Sequence, residues 1–206
     1  MSAPPSPRLR DRLLSTVFNL WFYPFALICA LAAWVAASLG GSGPTRAVIG
    51  WWTRRVRGAV RLLLGGRIAV TGLERLPDGP FVIVSKHQSE LDAIMMFSLF
   101  PHVGAVVMAE LGEYPFVGAL VRALGYPTVA VNGGGPQGRT AAVVAAATEV
   151  ISAGRPVLIY PEGTLMSLGA KERYRTGAWR IYDATGAAAV PVAQSLGAIW
   201  PRREWT

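Results

Sequence analysis

One cysteine, Cys29, and two histidines, His87 and His102, are all that this 206-residue chain holds of the residues that most often build disulfides and metal sites. A lone thiol excludes an internal disulfide framework and a cysteine-based zinc site. Two imidazoles leave little material for a histidine metal centre, so no metal is expected. Charge is scarce too, at 16% of residues, against about 25% in ordinary soluble domains. Apolar residues reach 52%. That balance excludes a disordered chain, which needs low hydrophobicity and high charge. The length is that of one domain.

The net charge of +8 is unevenly placed. Residues 1–70 hold nine arginines, no lysine and one acid, Asp11, and so carry all of it. Residues 71–206 hold eleven basic and eleven acidic residues and sum to zero. A basic excess confined to one segment argues for attraction to an anionic surface, lipid or nucleic acid.

Residues 13–45 contain no charge at all, and Val17 to Leu39 is nearly all apolar. Those 23 residues make a helix of roughly 35 Å, enough for a hydrocarbon core of about 30 Å. Trp21, Tyr23 and Trp34 suit the interface, and Pro24 predicts a kink near the start. A cleaved signal peptide also follows basic residues, but its apolar region is shorter, about 7–15 residues. A buried core helix is the third reading, and an uncharged, Trp-rich circumference argues against it. The expectation is a membrane-embedded segment. Basic residues flank it on both sides, so charge selects neither a single span nor a re-entrant hairpin. After the break at Gly40–Pro44, residues 45–64 predict a second helix. Trp52, Val56, Ala59 and Leu63 fall on one stripe, and Arg54, Arg57 and Arg61 on another. This basic amphipathic pattern reads as an interfacial helix on anionic lipid. Nucleic acid would also need groove-reading or base-stacking elements, and none is evident. Residues 1–66 therefore form membrane-associated helices, and residues 67–206 a separate domain.

In that domain short β runs alternate with helical runs. RIAVTG, PFVIVS, VGAVVMA, PTVAV, RPVLIYPEG and AAVPVAQSL predict strands. LDAIMMFSLF, FVGALVRALG, TAAVVAAATEVISAG and WRIYDATG predict helices. The alternation predicts an α/β fold with a mostly parallel central sheet flanked by helices. In such sheets the working groups lie beyond the carboxyl ends of strands.

Two strand ends carry chemistry. Lys86-His87-Gln88-Ser89-Glu90-Leu91-Asp92 follows FVIVS. A histidine five positions before an aspartate suggests a general base with an orienting carboxylate. On one regular helix the two would stand about 140° apart. They meet only if His87 lies in the turn and Asp92 in the first helical turn, and Ser89 is the N-cap that starts the helix in time. Tyr160-Pro161-Glu162-Gly163-Thr164 follows PVLI, and its carboxylate and hydroxyl in a tight turn suit a polyol. A third stretch, Gly133 to Thr140, has nearly the spacing of a nucleotide P-loop. Arg139 replaces the lysine, and Pro136 removes a cradling amide. Nucleotide hydrolysis is not expected, although Arg139 and the helix start remain available to a phosphate.

Together these pieces resemble the glycerolipid acyltransferase family, especially the bacterial 1-acyl-glycerol-3-phosphate acyltransferases. The resemblance covers roughly residues 68–200. His87 to Asp92 matches the H-x-x-x-x-D motif. Glu110-Leu111 with Tyr114 to Gly118 is similar to E-L-x-x-x-P-x-x-G. Pro161-Glu162-Gly163-Thr164 matches P-E-G-T, Tyr174 to Gly177 resembles F-K-x-G, and Val190-Pro191-Val192 matches V-P-V. Each motif is weak alone; the ordered set is specific. The resemblance implies an O-acyltransferase in which His87 acts as base on a lysophospholipid hydroxyl and Asp92 holds the imidazole. Glu162, Gly163 and Thr164 would bind the acceptor. The acyl donor would be acyl-CoA or acyl carrier protein, with no cofactor. The expected place is the cytoplasmic (inner) membrane, with the domain facing the cytoplasm; no oligomeric state is implied.

Two departures bear on the acceptor. Leu165 stands where the family often has an arginine after P-E-G-T, and Ala130-Val131 replace a D-R pair. Arg139 and Arg175, with Lys171 and Arg173, are the cations placed to compensate. Another lysolipid acceptor, such as lyso-ornithine lipid, is the alternative; a non-catalytic lipid-binding protein of the same fold is a further one. The family usually continues with another strand beyond WPRREWT, so the expectation includes a domain truncated at its C-terminus.

Overall fold

The computed structural model describes residues 9–130, 135–167 and 169–200. The proline-rich start and residues 201–206, on which the truncation reading rests, lie outside them.

Helix α1 runs Leu9–Leu39, with Pro24 inside it, and α2 runs Ser42–Leu63. The predicted break shrinks to Gly40-Gly41. Pro44 falls in the first turn of α2, where a missing N–H removes no intrahelical bond. The reading of α2 as a helix with its apolar stripe on lipid is corrected. Val56 and Val60 are fully buried, with Trp52, Ala59 and Leu63 against the same core. That core also holds Phe18 and Phe22 of α1, Leu91, Ile94 and Met95, and Trp200. The stripe faces protein because α1 and the helix after the first strand cover it. Arg54, Arg57 and Arg61 stay exposed. One core therefore joins the two N-terminal helices to the α/β part.

The main sheet contains β1 (Phe81–Ser85), β2 (Gly104–Ala105), β5 (Val157–Ile159) and β6 (Ala188–Val192), in the order β2-β5-β1-β6. Every pairing is parallel. Helices α3 (Glu90–Leu99), α6 (Gly135–Ser152) and α7 (Gly177–Thr185) cover its faces. Side chains alternate across the sheet, as the pleat requires. Val82, Val84, Val157 and Ile159 face Ala147, Val150 and Ile181 on α6 and α7. Phe81, Ile83, Leu158 and Val190 face Met96 and Phe97 on α3. Gly104 lets α6 approach: a Cβ there would lie 2.3 Å from Val150 Cγ1.

Two strand predictions change. RIAVTG forms no strand: the segment joins no ladder, and β6, paired only with β1, remains the edge of the main sheet. VGAVVMA splits. Its first part is β2, while β3 (Val107–Met108) pairs with β4 (Thr128–Val129) in a separate two-stranded sheet. Helices α4 (Ala109–Glu113) and α5 (Pro115–Leu124) connect these two strands.

Candidate active site

The parallel register places the chemistry. Val84 lies opposite Ile159 and Ser85 opposite Val192. The chain leaving β1 is therefore flanked by residues 160–164 on one side and 193–197 on the other.

Ser89 caps α3. Its hydroxyl accepts the Leu91 N–H at 3.1 Å, and its own N–H donates to Asp92 Oδ2 at 2.8 Å. This reciprocal box fixes Asp92 in the first turn. The same Oδ2 accepts the Gln88 N–H and lies 3.3 Å from His87 Nδ1. Asp92 is wholly buried, whereas the His87 side chain keeps 23% of its surface. A buried carboxylate on Nδ1 favours the tautomer with the proton there and leaves the Nε2 lone pair free to accept one.

The second strand end closes on the first. Gly163 N–H bonds the Tyr160 carbonyl at 3.0 Å, with Pro161 second and Gly163 last in the turn. Gly163 sits at φ +71°, which favours glycine. The buried Glu162 accepts the His87 N–H on Oε2 at 2.9 Å. Its Oε1 lies 4.0 Å from Lys86 Nζ. The Met166 N–H donates to the His87 carbonyl at 2.7 Å. Glu162 thus ties the two loops together, with its carboxylate turned inward. On the third side, Gln194 donates its side-chain amide to the Lys86 carbonyl.

The remaining candidates divide. Gly163 and Thr164 are exposed beside this junction. The Arg175 guanidinium lies directly over Gly163, where a Cβ would come within 2.7 Å of its Cζ. The Arg175 N–H also bonds the Pro161 carbonyl at 2.8 Å. Arg139, exposed near the start of α6, forms no hydrogen bond or ion pair with His87, Asp92, Glu162 or Arg175. Of the stretch around it, Gly133 and Gly134 lie outside the described residues.

Two features go beyond the sequence reading. The Tyr160 ring stacks on the His87 imidazole, with centroids 4.0 Å apart and planes at 15°. Burial, and after it the Asp92 charge, hold the Tyr160 phenol far above its ordinary range. The parity of β5 and its pairing with β1 could have located that contact; the motif alone could not. An almost wholly apolar cavity of about 430 Å³ lies between α1, α2, α3 and α5, with Ala33, Trp52, Phe97 and Leu120 among its walls. No local pattern signals it, because four helices, Val107 of β3 and Tyr126 build it together.

The solved structure of the 1-acyl-sn-glycerophosphate (LPA) acyltransferase from Thermotoga maritima has the same fold. Its TM-score is 0.71 at 20% identity, over 95% of this chain and 80% of that one. The 1-acyl-sn-glycerol-3-phosphate acyltransferase of Pseudomonas aeruginosa is 29% identical over 175 residues, 85% of this chain and 67% of the relative. The chloroplastic one of Arabidopsis thaliana is 30% identical over 138 residues, 66% of this chain but only 38% of the relative. The family model described as Acyltransferase matches residues 67–195, from the segment before β1 to the chain beyond β6. Both strand ends that meet at His87 fall inside that match, and the chain belongs to the acyltransferase family.

Proposed function

We propose that this protein transfers a fatty acyl group from a thioester donor, acyl-CoA or acyl carrier protein, to the free hydroxyl of 1-acyl-glycerol-3-phosphate, giving phosphatidic acid. The observation that carries this is the His87–Asp92 pair, with Nδ1 held by a buried carboxylate and the His87 side chain partly exposed. The relatives named for this reaction support the acceptor.

The acceptor hydroxyl gives its proton to His87 Nε2 while its oxygen attacks the thioester carbonyl carbon. The tetrahedral intermediate collapses, the C–S bond breaks, and the imidazolium returns the proton to the leaving thiolate. An ester and a free thiol result, with no acyl-enzyme. Base catalysis of this kind contributes about 10²–10⁴-fold. Arg175, seated over Gly163, and Lys86, beside Glu162, are cations at the junction for the acceptor phosphate. The apolar cavity suits an acyl chain, and α3 supplies both Asp92 at its start and Phe97 to the cavity wall.

The membrane side of the proposal rests on α1. It is long and apolar enough to cross a membrane by length and composition. One face packs Phe18 and Phe22 against Trp200, and Trp34 against Phe116 of α5. The other exposes Leu13, Val17, Leu20, Ile28 and Val35. Contact with the domain near both ends favours a helix lying in one leaflet, with the basic residues of α2 available to anionic headgroups. The membrane proposed is the cytoplasmic one, with the domain on its cytoplasmic side.

A second reading, another lysolipid acceptor, is favoured by Leu165 directly after the Pro161–Thr164 turn. One panel separates the two: purified protein, an acyl thioester, and either 1-acyl-glycerol-3-phosphate or lyso-ornithine lipid. Phosphatidic acid formation supports the first reading. Transfer only to the other lipid supports the second, and transfer to neither overturns both.

A further inference from the structure

An imidazole can be held in place through its residue's backbone, its ring nitrogens and its faces. The Glu162 carboxylate holds the His87 backbone, and Asp92 holds Nδ1. Nε2 must stay free for the acceptor. One face is covered by Tyr160, stacked nearly parallel at 4.0 Å. Tyr160 stands two residues before Glu162, so one short stretch at the end of β5 both ties the backbone of His87 and covers its ring.

We infer that Tyr160 is a positioning residue, whose ring keeps the His87 imidazole in its working plane and favours the cationic form that arises when Nε2 takes the acceptor proton. This rests on the reading of His87 as the base. The physical reason is the negative π-face of an aromatic ring, which attracts a cation set over it. The ring here is neutral at every working pH, because burial and then the Asp92 charge oppose phenol ionisation. The charged groups around the imidazole are Asp92 on α3, Glu162 behind its amide, and Lys86 on the preceding residue. None of them occupies the stacked face. Among the described residues the buried Tyr160 hydroxyl has no hydrogen-bond partner, which places the contribution in the ring and not in the O–H.

Two measurements test this. The first is kinetic, on the full-length enzyme. Tyr160→Leu is expected to lower kcat by about 10-fold or more, with the KM for donor and acceptor within about twofold. Tyr160→Phe is expected to restore kcat to within about threefold. Phenylalanines carrying one, two and three ring fluorines at position 160 are expected to lower kcat stepwise, because fluorine drains the π-face while packing is nearly kept. A flat fluorine series, or Tyr160→Phe as slow as Tyr160→Leu, would overturn the inference. The fluorine series also keeps the test open if Tyr160→Leu unfolds.

The second measurement needs no activity. The chain has only two histidines, so His102 is an internal reference in a proton NMR spectrum. A stacked ring shields the His87 carbon-bound ring protons, which are expected upfield of those of His102, and that offset is expected to vanish in Tyr160→Leu. Coincident resonances in the wild type would overturn the stacked geometry. A wild type that shows the offset but transfers no acyl group overturns the acyl-transfer reading, and with it the role in proton transfer.

Discussion

At Asp92 a single carboxylate oxygen receives the Gln88 and Ser89 amides as well as the His87 ring. Asp92→Asn replaces one oxygen by an amide group and removes the charge that steadies the imidazolium. Initial rates are expected to show kcat lower by about 10²–10⁴-fold. Denaturant unfolding should show a loss of about 1–3 kcal/mol from the weakened cap. Arg175 and Arg139 separate at the same scale. Arg175→Ala is expected to raise the acceptor KM about tenfold with little change in donor KM, and Arg139→Ala to change neither. The reverse pattern would move the phosphate to the start of α6. Tyr126 gives a pH signature away from the site. Burial pushes its phenol up to about 12, and the charges of Arg155 and Arg46 lower it only in part. The folded state therefore keeps a proton that the unfolded chain loses near 10. Its stabilisation is complete below about pH 10 and is lost as pH rises toward about 12, an effect of about 2–3 kcal/mol. Over that interval the wild type should lose about 2–3 kcal/mol of unfolding free energy relative to Tyr126→Phe, read from paired unfolding curves. The His87–Asp92 contact is legible in sequence because Ser89 signals where α3 begins. The Tyr160 contact is not, because it depends on Val84 standing opposite Ile159, and register is set by the assembled sheet.

Among the elements, α1 is joined to the rest through aromatic edges. Trp200 meets Phe18 at 5.0 Å and Phe22 at 4.8 Å, both edge-to-face. Trp200→Ala opens a cavity between α1, α2 and α3 and is expected to cost about 3–5 kcal/mol in chemical unfolding. The longer helices are read well from the sequence, since each carries a local apolar pattern and a stop; the short α4 is not, and its first residue, Ala109, ends the VGAVVMA run that predicts a strand. Strands fare less well. RIAVTG has the composition of a strand and lacks a neighbour, and a strand exists only as part of a ladder. VGAVVMA has one strand's composition and serves two sheets. The apolar stripe of α2 is visible in sequence, but its partner is not: a stripe facing lipid and a stripe facing α3 have the same periodicity.

Over the whole molecule, six of the eight net positive charges sit on the pair α1 and α2, and residues 71–206, which sum to zero, form the α/β domain. The outer face of α1 is apolar, and Leu20 and Ile28 project from it with 72% and 64% exposure. Leu20→Glu with Ile28→Glu should abolish vesicle flotation at nearly unchanged stability. Arg54, Arg57 and Arg61 changed together to Gln should weaken binding to anionic vesicles by about 1 kcal/mol per residue at low salt and leave neutral vesicles unaffected. The most direct test of the central claim is thiol release from an acyl thioester in the presence of 1-acyl-glycerol-3-phosphate, wild type against His87→Ala. The wild type should release thiol in step with phosphatidic acid, and the folded variant should be slower by at least about 10²-fold. A folded His87→Ala protein that keeps the wild-type rate would contradict the account.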